Sequence, residues 1–481
     1  MSVDSNPSPK LNLRALANGS MMVTLTVLFI FAEAFGPASL KVWAGIVGAV
    51  YMLSVARDVR WSRRAFVAIG LALSVFAVAS REDGWALVGQ ALSAGGFVIG
   101  FFIALTTLRT AAASSPSIRR CGEYLSTRTP GLRYLALTTG GHLFSLVLNY
   151  GSISLLGTLV EQAENGPDGK PRNAVRMRRM LMAIQRGFVT TLCWSPLAFS
   201  MAVGTVVITG STWEGTVGYG LLSALLLSLV GWGVDTVFKP PRPANAPPPP
   251  TPLGSIKAVL PLLLLLLCIV VAVGAMRWLS GLRISVAVMA VVPLVSVLWI
   301  ALQTAMPEPP KTRVASVPRE VGRRCLDYLV RELDNYKSEM VLLYMAGFIG
   351  KLGGALALPL VTGQHLDFST IPTWAILSGI VCGLPLLGQI GMHPILAVSL
   401  IGPLLPDPSL MGISPNILLM AICIGWSFSG ATSPFTATVL LVAYFGKVSA
   451  ATVGLRWNAW YWGLGALVGS LWVVALARLT A

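Results

Sequence analysis

Apolar runs long enough to cross a bilayer recur along the chain from Met21 almost to its C-terminus, separated by short polar stretches. A hydrocarbon core of about 30 Å takes roughly 20 residues of helix. The pattern therefore predicts an all-α polytopic membrane protein of about 10–12 transmembrane helices and re-entrant hairpins. Uninterrupted spans read at 65–80, 86–108, 256–276, 284–304 and 339–361. Two other apolar runs, 134–160 and 372–404, are broken at their centres. The first contains His142, Asn149, Tyr150, Gly151, Ser152 and Ser154; the second contains Gly383, Pro385, Gly388, Gly391, His393 and Pro394. Irregular backbone at membrane depth survives only where it is buried in protein or lines a cavity. Each run thus predicts a hairpin. Two more runs are interrupted at Ser195-Pro196 and Ser433-Pro434, where proline removes an N–H and crowds the preceding turn.

Composition agrees: 55% of the 481 residues are hydrophobic and 11% charged, against about 25% charged in a soluble domain. The formal charge of +16 comes from arginines and lysines in short loops, without a solvated basic face, so it is a topology signal and not a nucleic-acid footprint. Arg57, Arg60, Arg63 and Arg64, then Arg119, Arg120, Arg128 and Arg133, then Lys170, Arg172, Arg176, Arg178 and Arg179 predict three cytoplasmic loops. The first hairpin lies between two of them and so enters from the cytoplasm. The second precedes Pro406-Asp407-Pro408-Ser409, which has no basic residue, and enters from outside. The polar residues 1–20 predict a cytoplasmic tail before a retained first span, and a bacterial-type inner membrane is the expected location. In VGRRCLDYLVREL, apolar residues at helical spacing oppose basic ones, which predicts an amphipathic helix on the inner leaflet. The six cysteines are scattered and predict neither disulfides nor a metal site. No nucleophile elbow, zinc-helix motif or P-loop is present, so the chain does not read as an enzyme.

The halves can be laid over one another. SISLLGTL at 152–159 aligns with AVSLIGPL at 397–404, placing Ser154 on Ser399 and Gly157 on Gly402. CWSPLAFS at 193–200 aligns with ATSPFTAT at 431–438, placing Ser195 on Ser433 and Pro196 on Pro434. Interrupted segments at corresponding places in two halves point to a transporter site near mid-membrane. There, new helix ends expose N–H groups suited to an anion and C=O groups suited to a cation.

The stretch TSPFTATVLLVAYFGKVSAATVGLRWNAWYWGLGALVG, 432–469, resembles the ion transporter superfamily, which includes divalent anion/sodium symporters, arsenite permeases and the large subunits of tripartite carriers. The order of hairpins and broken helices over 130–238 and 338–479 is similar as well. The resemblance implies two inverted-topology repeats, a scaffold that forms a homodimer, and a transport domain that moves as an elevator. It divides the chain into a tail (1–20), scaffold helices (21–110), a first transport half (111–238), a Pro-rich linker (239–255), further scaffold with the amphipathic helix (256–337) and a second transport half (338–481). The symporters carry Ser-Asn-Thr at both hairpin tips; here the tips read Asn149-Tyr150-Gly151-Ser152 and Gly391-Met392-His393-Pro394.

The expected function is secondary active transport of a small anionic organic solute, coupled to sodium or protons, with no cofactor. Asn149, Ser152, Ser195, His393, Ser433 and Thr436 are expected near solute or coupling ion. His142, Ser154, Lys351, Ser429 and Asn458 are secondary candidates. His393 reads either as a proton carrier or as a neutral histidine bonded to nearby backbone. Lys351 reads as a charge partner or a snorkelling lysine. A proton-coupled exporter, and a membrane enzyme or assembly component for lipid or polysaccharide precursors, are the alternatives.

Overall fold

A computed structural model describes residues 13–37, 39–128, 132–164, 173–239, 255–306, 316–363 and 371–480. The proline-rich stretch 240–254, His365, Lys170, Arg172, Lys311 and Arg313 lie outside the described residues. Every regular element among the described residues is helical, and nine helices are long and apolar enough to span a membrane. The chain is a multi-pass membrane protein.

The N-terminal apolar run splits at Gly36-Pro37 into α1 (Leu13–Ala34) and α2 (Ser39–Val55). Helix α1 begins before Met21, inside the stretch read as a tail. Its polar first turns are held by the end of α2: Arg14 pairs with Asp58 at 3.0 Å, and Ser54 Oγ donates to Asn18 Oδ1 at 2.9 Å. Helices α3 (Trp61–Ser80) and α4 (Gly84–Ala113) follow, and α4 is the buried axis of this region, packing on α1, α2 and α3. Beyond the short α5 (Pro116–Ser126), the first hairpin is α6 (Arg133–Leu148) and α7 (Gly151–Glu164). The first broken helix is α8 (Ala174–Thr191) and α9 (Phe199–Val207), returned by α10 (Trp213–Val237).

The second half opens with α11 (Leu260–Ser280) and α12 (Ile284–Ala305), joined at Gly281, whose φ of 67° ends α11 in the left-handed conformation that glycine adopts without strain. Leu263, Leu264, Leu267, Val270 and Val271 form an exposed apolar face on α11, as a lipid-facing helix requires. The amphipathic segment is α13 (Val317–Asp327), a π-helical turn over Tyr328–Glu332 and the short α14 (Leu333–Asn335). Its C-terminal end docks on protein: Tyr328 is buried, its hydroxyl donating to the Ile103 carbonyl at 2.9 Å. Helix α15 (Lys337–Gly363) leads to the second hairpin, α16 (Thr373–Gln389) and α17 (Pro394–Ile401). The second broken helix is α18 (Pro415–Thr432) and α19 (Ala437–Gly446), and a π-helical turn over Thr452–Trp457 leads into α20 (Ala459–Thr480).

The halves interlock reciprocally. Gly157 on α7 packs on Phe445 of α19, where a Cβ would meet the ring at 2.5 Å; Gly402, just after α17, packs on Val207 of α9 with a corresponding 2.0 Å. Gly157 and Gly402 are aligned, and so are Val207 and Phe445 once the Ser-Pro alignment is extended. Each hairpin therefore meets the far side of the other half's break. Each tip turns on a residue of positive φ, Asn149 at 52° and Gly391 at 87°, three places apart in the alignment of the halves.

Candidate functional site

Each Ser-Pro step makes the same local bonds. Ser195 N–H donates to the Thr191 carbonyl at 2.9 Å, and Ser433 N–H to Ser429 at 3.0 Å. Ser195 Oγ accepts from Leu197 N–H at 3.2 Å, and Ser433 Oγ from Phe435 N–H at 3.3 Å. Across each break a hydroxyl reaches back eight residues: Ser200 Oγ donates to the Leu192 carbonyl and Thr438 Oγ1 to Gly430. Proline cannot continue the helix, so side-chain hydroxyls satisfy the groups it strands.

Around these breaks lies a cavity of about 450 Å³. It is lined by both hairpin tips (Asn149, Tyr150, His393) and both breaks (Ser195, Phe199, Phe435, Thr436, Thr438), with Trp426 and Phe188 also in its wall. Arg63 and the start of α15, with Ser338 and Glu339, complete the wall. Of the residues singled out from sequence, Asn149, Ser195, His393 and Thr436 thus come together.

The others do not line it. Ser433 is buried directly behind, its Oγ donating to the Gly388 carbonyl of the second hairpin at 2.7 Å. Ser152 is buried in the first turn of α7, while Ser154 is half-buried further along α7. Ser429 is buried behind the second break. His142 backs the first break: its Nδ1 lies 3.0 Å from Thr190 Oγ1, and its Nε2 accepts from Trp194 Nε1 at 3.1 Å. Lys351 is exposed on α15, away from the cavity. His393 N-caps α17, its Nδ1 accepting from Ile395 N–H at 3.3 Å, so it is at once a cavity residue and a histidine bonded to backbone.

Asn458 is a strut between halves. Its amide donates to Gln185 Oε1 and to the Ala431 carbonyl, both at 2.9 Å, tying α8 to the end of α18. Beside it Arg186 is buried, donating to Tyr134 Oη at 3.2 Å and the Gly231 carbonyl at 3.1 Å, and lying 4.8 Å from the Tyr461 ring centroid. These bonds spread its charge over neutral acceptors, which a buried cation requires. Several carbonyls that the breaks expose are occupied by protein donors: Ala431 by Asn458 and Gln185, Gly430 by Thr438, Leu192 by Ser200, and Trp194 by Trp213 at 2.8 Å.

Sequence reasoning missed Arg63, Arg109, Arg186 and Glu339. Arg63 sits within a basic loop cluster that reads as a topology signal, and Glu339 at the edge of a span. Tyr150 donates to Glu339, and Arg109 lies with its guanidinium carbon 5.0 Å from the Tyr150 ring centroid and 5.4 Å from that of Tyr336. A charged residue just inside an apolar run was the available signal for Arg186 and Glu339.

Fold and cavity together define a helical membrane protein with the architecture of known transporters. The YdaH transporter of Alcanivorax borkumensis, described as having an unusual topology, superposes with a TM-score of 0.54 at 15% identity, covering 86% of this chain and 98% of that one. MtrF of Neisseria gonorrhoeae, described as illuminating a class of antimetabolite efflux pumps, superposes with a TM-score of 0.57 at 11% identity, covering 86% and 95%. No family model matches the chain, and none of the curated proteins does. At these identities the likeness is one of fold.

Proposed function

We propose that this protein is a secondary active transporter of a small, anionic organic solute, a remote member of the ion transporter superfamily working by elevator-type alternating access. The observation that carries the reading is the cavity in which both hairpin tips and both breaks converge. Its volume suits a small organic molecule, and Arg63 with the N-terminal ends of α17 and α19 favours negative charge. Reciprocal packing of each hairpin on the other half's post-break helix supports an inverted repeat, and the fold shared with YdaH and MtrF supports transport over enzymatic chemistry.

In this reading the membrane is a bacterial inner membrane, the N-terminus is cytoplasmic and the protein is a homodimer. The cavity then borders the cytoplasmic side, because Arg63 and the first turn of α15 belong to that face. Carbonyls already occupied at the breaks leave fewer acceptors for sodium, which favours protons as the coupling ion.

A panel of organic anions tested by thermal denaturation of the purified full chain checks the reading, because a ligand that binds only the folded state raises the melting temperature. At least one anion is expected to stabilise the wild type and to lose that effect in Ser195→Ala and Thr436→Ala. A panel that stabilises nothing, or stabilises the variants equally, contradicts it.

A further inference from the structure

Glu339 supplies the carboxylate in the cavity wall. It stands in the first turn of α15, where its Oε1 accepts from the hydroxyl of Tyr150 at the tip of the first hairpin. The bond joins residues 189 positions apart and links a hairpin tip to the start of the long helix α15. Tyr150 is held from behind by Arg109, which also backs Tyr336 and comes so near the start of α7 that a Cβ on Gly151 would sit 3.0 Å from its Nε.

The groups facing Glu339 come from every side. Arg63 of α3 and Arg109 of α4 act on its charge, Tyr150 and Tyr336 supply phenols, and His393 lines the same cavity from the second hairpin. On its own segment Asp334 is paired with Lys337 at 3.1 Å, and Glu332 is a further carboxylate one turn before Tyr336. One guanidinium, that of Arg63, thus shares the cavity wall with the carboxylate, and that of Arg109 stands over the Tyr150 ring outside the cavity lining.

We propose that Glu339 is a protonation site of the transport cycle and that its bond to Tyr150 is the latch through which its charge holds the first hairpin against α15. This rests on the transporter reading above. An ionised carboxylate accepts a charge-assisted bond from the phenol, about twice as strong as a neutral one. Taking up a proton delivered through the cavity converts it to a neutral acid, while Tyr150 keeps its own proton and no covalent bond between heavy atoms changes. The latch weakens, and the tip is released with whatever solute it carries. Arg63 then shares the wall with a neutral acid and is the lining guanidinium that faces a solute anion.

Hydrogen exchange on the purified full chain in lipid nanodiscs tests this without any solute. After correction for the intrinsic pH dependence of exchange, wild-type protection over residues 146–154 is expected to fall about tenfold from mildly alkaline to mildly acidic pH, the size of one lost charge-assisted bond. Glu339→Gln is expected to show the low protection at both pH values. Tyr150→Phe, which keeps the carboxylate, is expected to do the same. An infrared titration should contain a protonated-carboxyl stretch that Glu339→Gln removes. If Glu339→Gln keeps the wild-type pH dependence of exchange, or its infrared titration superimposes on the wild type, the proposal is overturned. These readouts stand apart from transport, so a protein that moves no organic anion defeats the transporter reading without deciding the latch, and the reverse holds equally.

Discussion

Ser195 and Ser433 share a local geometry yet do different work, and the difference is measurable. Ser195 faces the cavity, whereas Ser433 ties the second break to Gly388 of its hairpin. Ser433→Ala leaves both the buried Gly388 carbonyl and Phe435 N–H without their partner and should cost roughly 1–3 kcal/mol, read as a lower melting temperature in detergent; Ser195→Ala strands only Leu197 N–H and should melt between Ser433→Ala and the wild type. Equal melting of all three proteins would remove this distinction. Asn458→Ala orphans Gln185 Oε1 and removes a donor from Ala431, and should likewise destabilise by about 1–3 kcal/mol; an unchanged melting curve would mean that the strut bears no load. At this scale the sequence disclosed the residues at the helix interruptions, because a proline or a polar cluster inside an apolar run has a local signature. It did not disclose Glu339 or Arg63, whose importance depends on which distant elements close around them.

Elements were legible wherever one physical period ran undisturbed. Both hairpins and both Ser-Pro breaks lie at the positions read from the chain, because polar atoms at membrane depth leave few conformations open. The amphipathic segment docks on protein through Tyr328 and Leu333 at its C-terminal end, while α13 itself has no buried residue; hydrophobic periodicity marks a face without naming what meets it. On its polar side Arg323 and Arg324 hydrogen-bond Glu320 at 2.7 and 2.9 Å, and the Arg323 guanidinium foremost holds the Glu320 carboxyl down from 4.5 to about 2. A depressed folded value means that the stabilisation is full above the ordinary carboxyl range and is lost as pH falls toward about 2. Exchange over 317–327 should therefore be faster in Glu320→Gln than in wild type at neutral pH, and the gap should close as the medium is acidified. A gap that persists unchanged in acid contradicts the pairing.

Packing between elements makes a second test. Helices α6 and α8 touch backbone to backbone, and a Cβ on Gly187 would lie 2.1 Å from the Thr138 carbonyl oxygen. Gly187→Ala must push these helices apart and should cost about 1–3 kcal/mol. Gly233 on α10 has open space where its Cβ would go, so Gly233→Ala should be neutral or slightly stabilising, as alanine is the better helix former. Similar melting of the two variants would contradict the close approach.

For the whole molecule, the weak internal match of the sequence gains its meaning from three-dimensional reciprocity. Gly157 meets Phe445 as Gly402 meets Val207, and Ser200 spans its break as Thr438 spans the other. Such agreement between separately aligned segments is not expected of chance likeness among apolar residues. That both breaks and both hairpin tips share one cavity was foreseeable from the order of interruptions, but its charged wall, drawn from α3 and α15, was not, because Arg63 and Glu339 are brought together only by the folded chain. The account's central claim is that this shared cavity carries an organic anion across the bilayer. Uptake by proteoliposomes containing the full chain, measured under separate sodium and proton gradients for an anion that stabilises the protein, tests it most directly. The account predicts gradient-driven accumulation that Ser195→Ala and Thr436→Ala reduce at least tenfold, about the loss of one or two hydrogen bonds, while Arg178→Ala and Arg324→Ala transport like the wild type. Failure of either gradient to move the anion, or loss of transport in the loop arginine variants with the cavity variants intact, would contradict it.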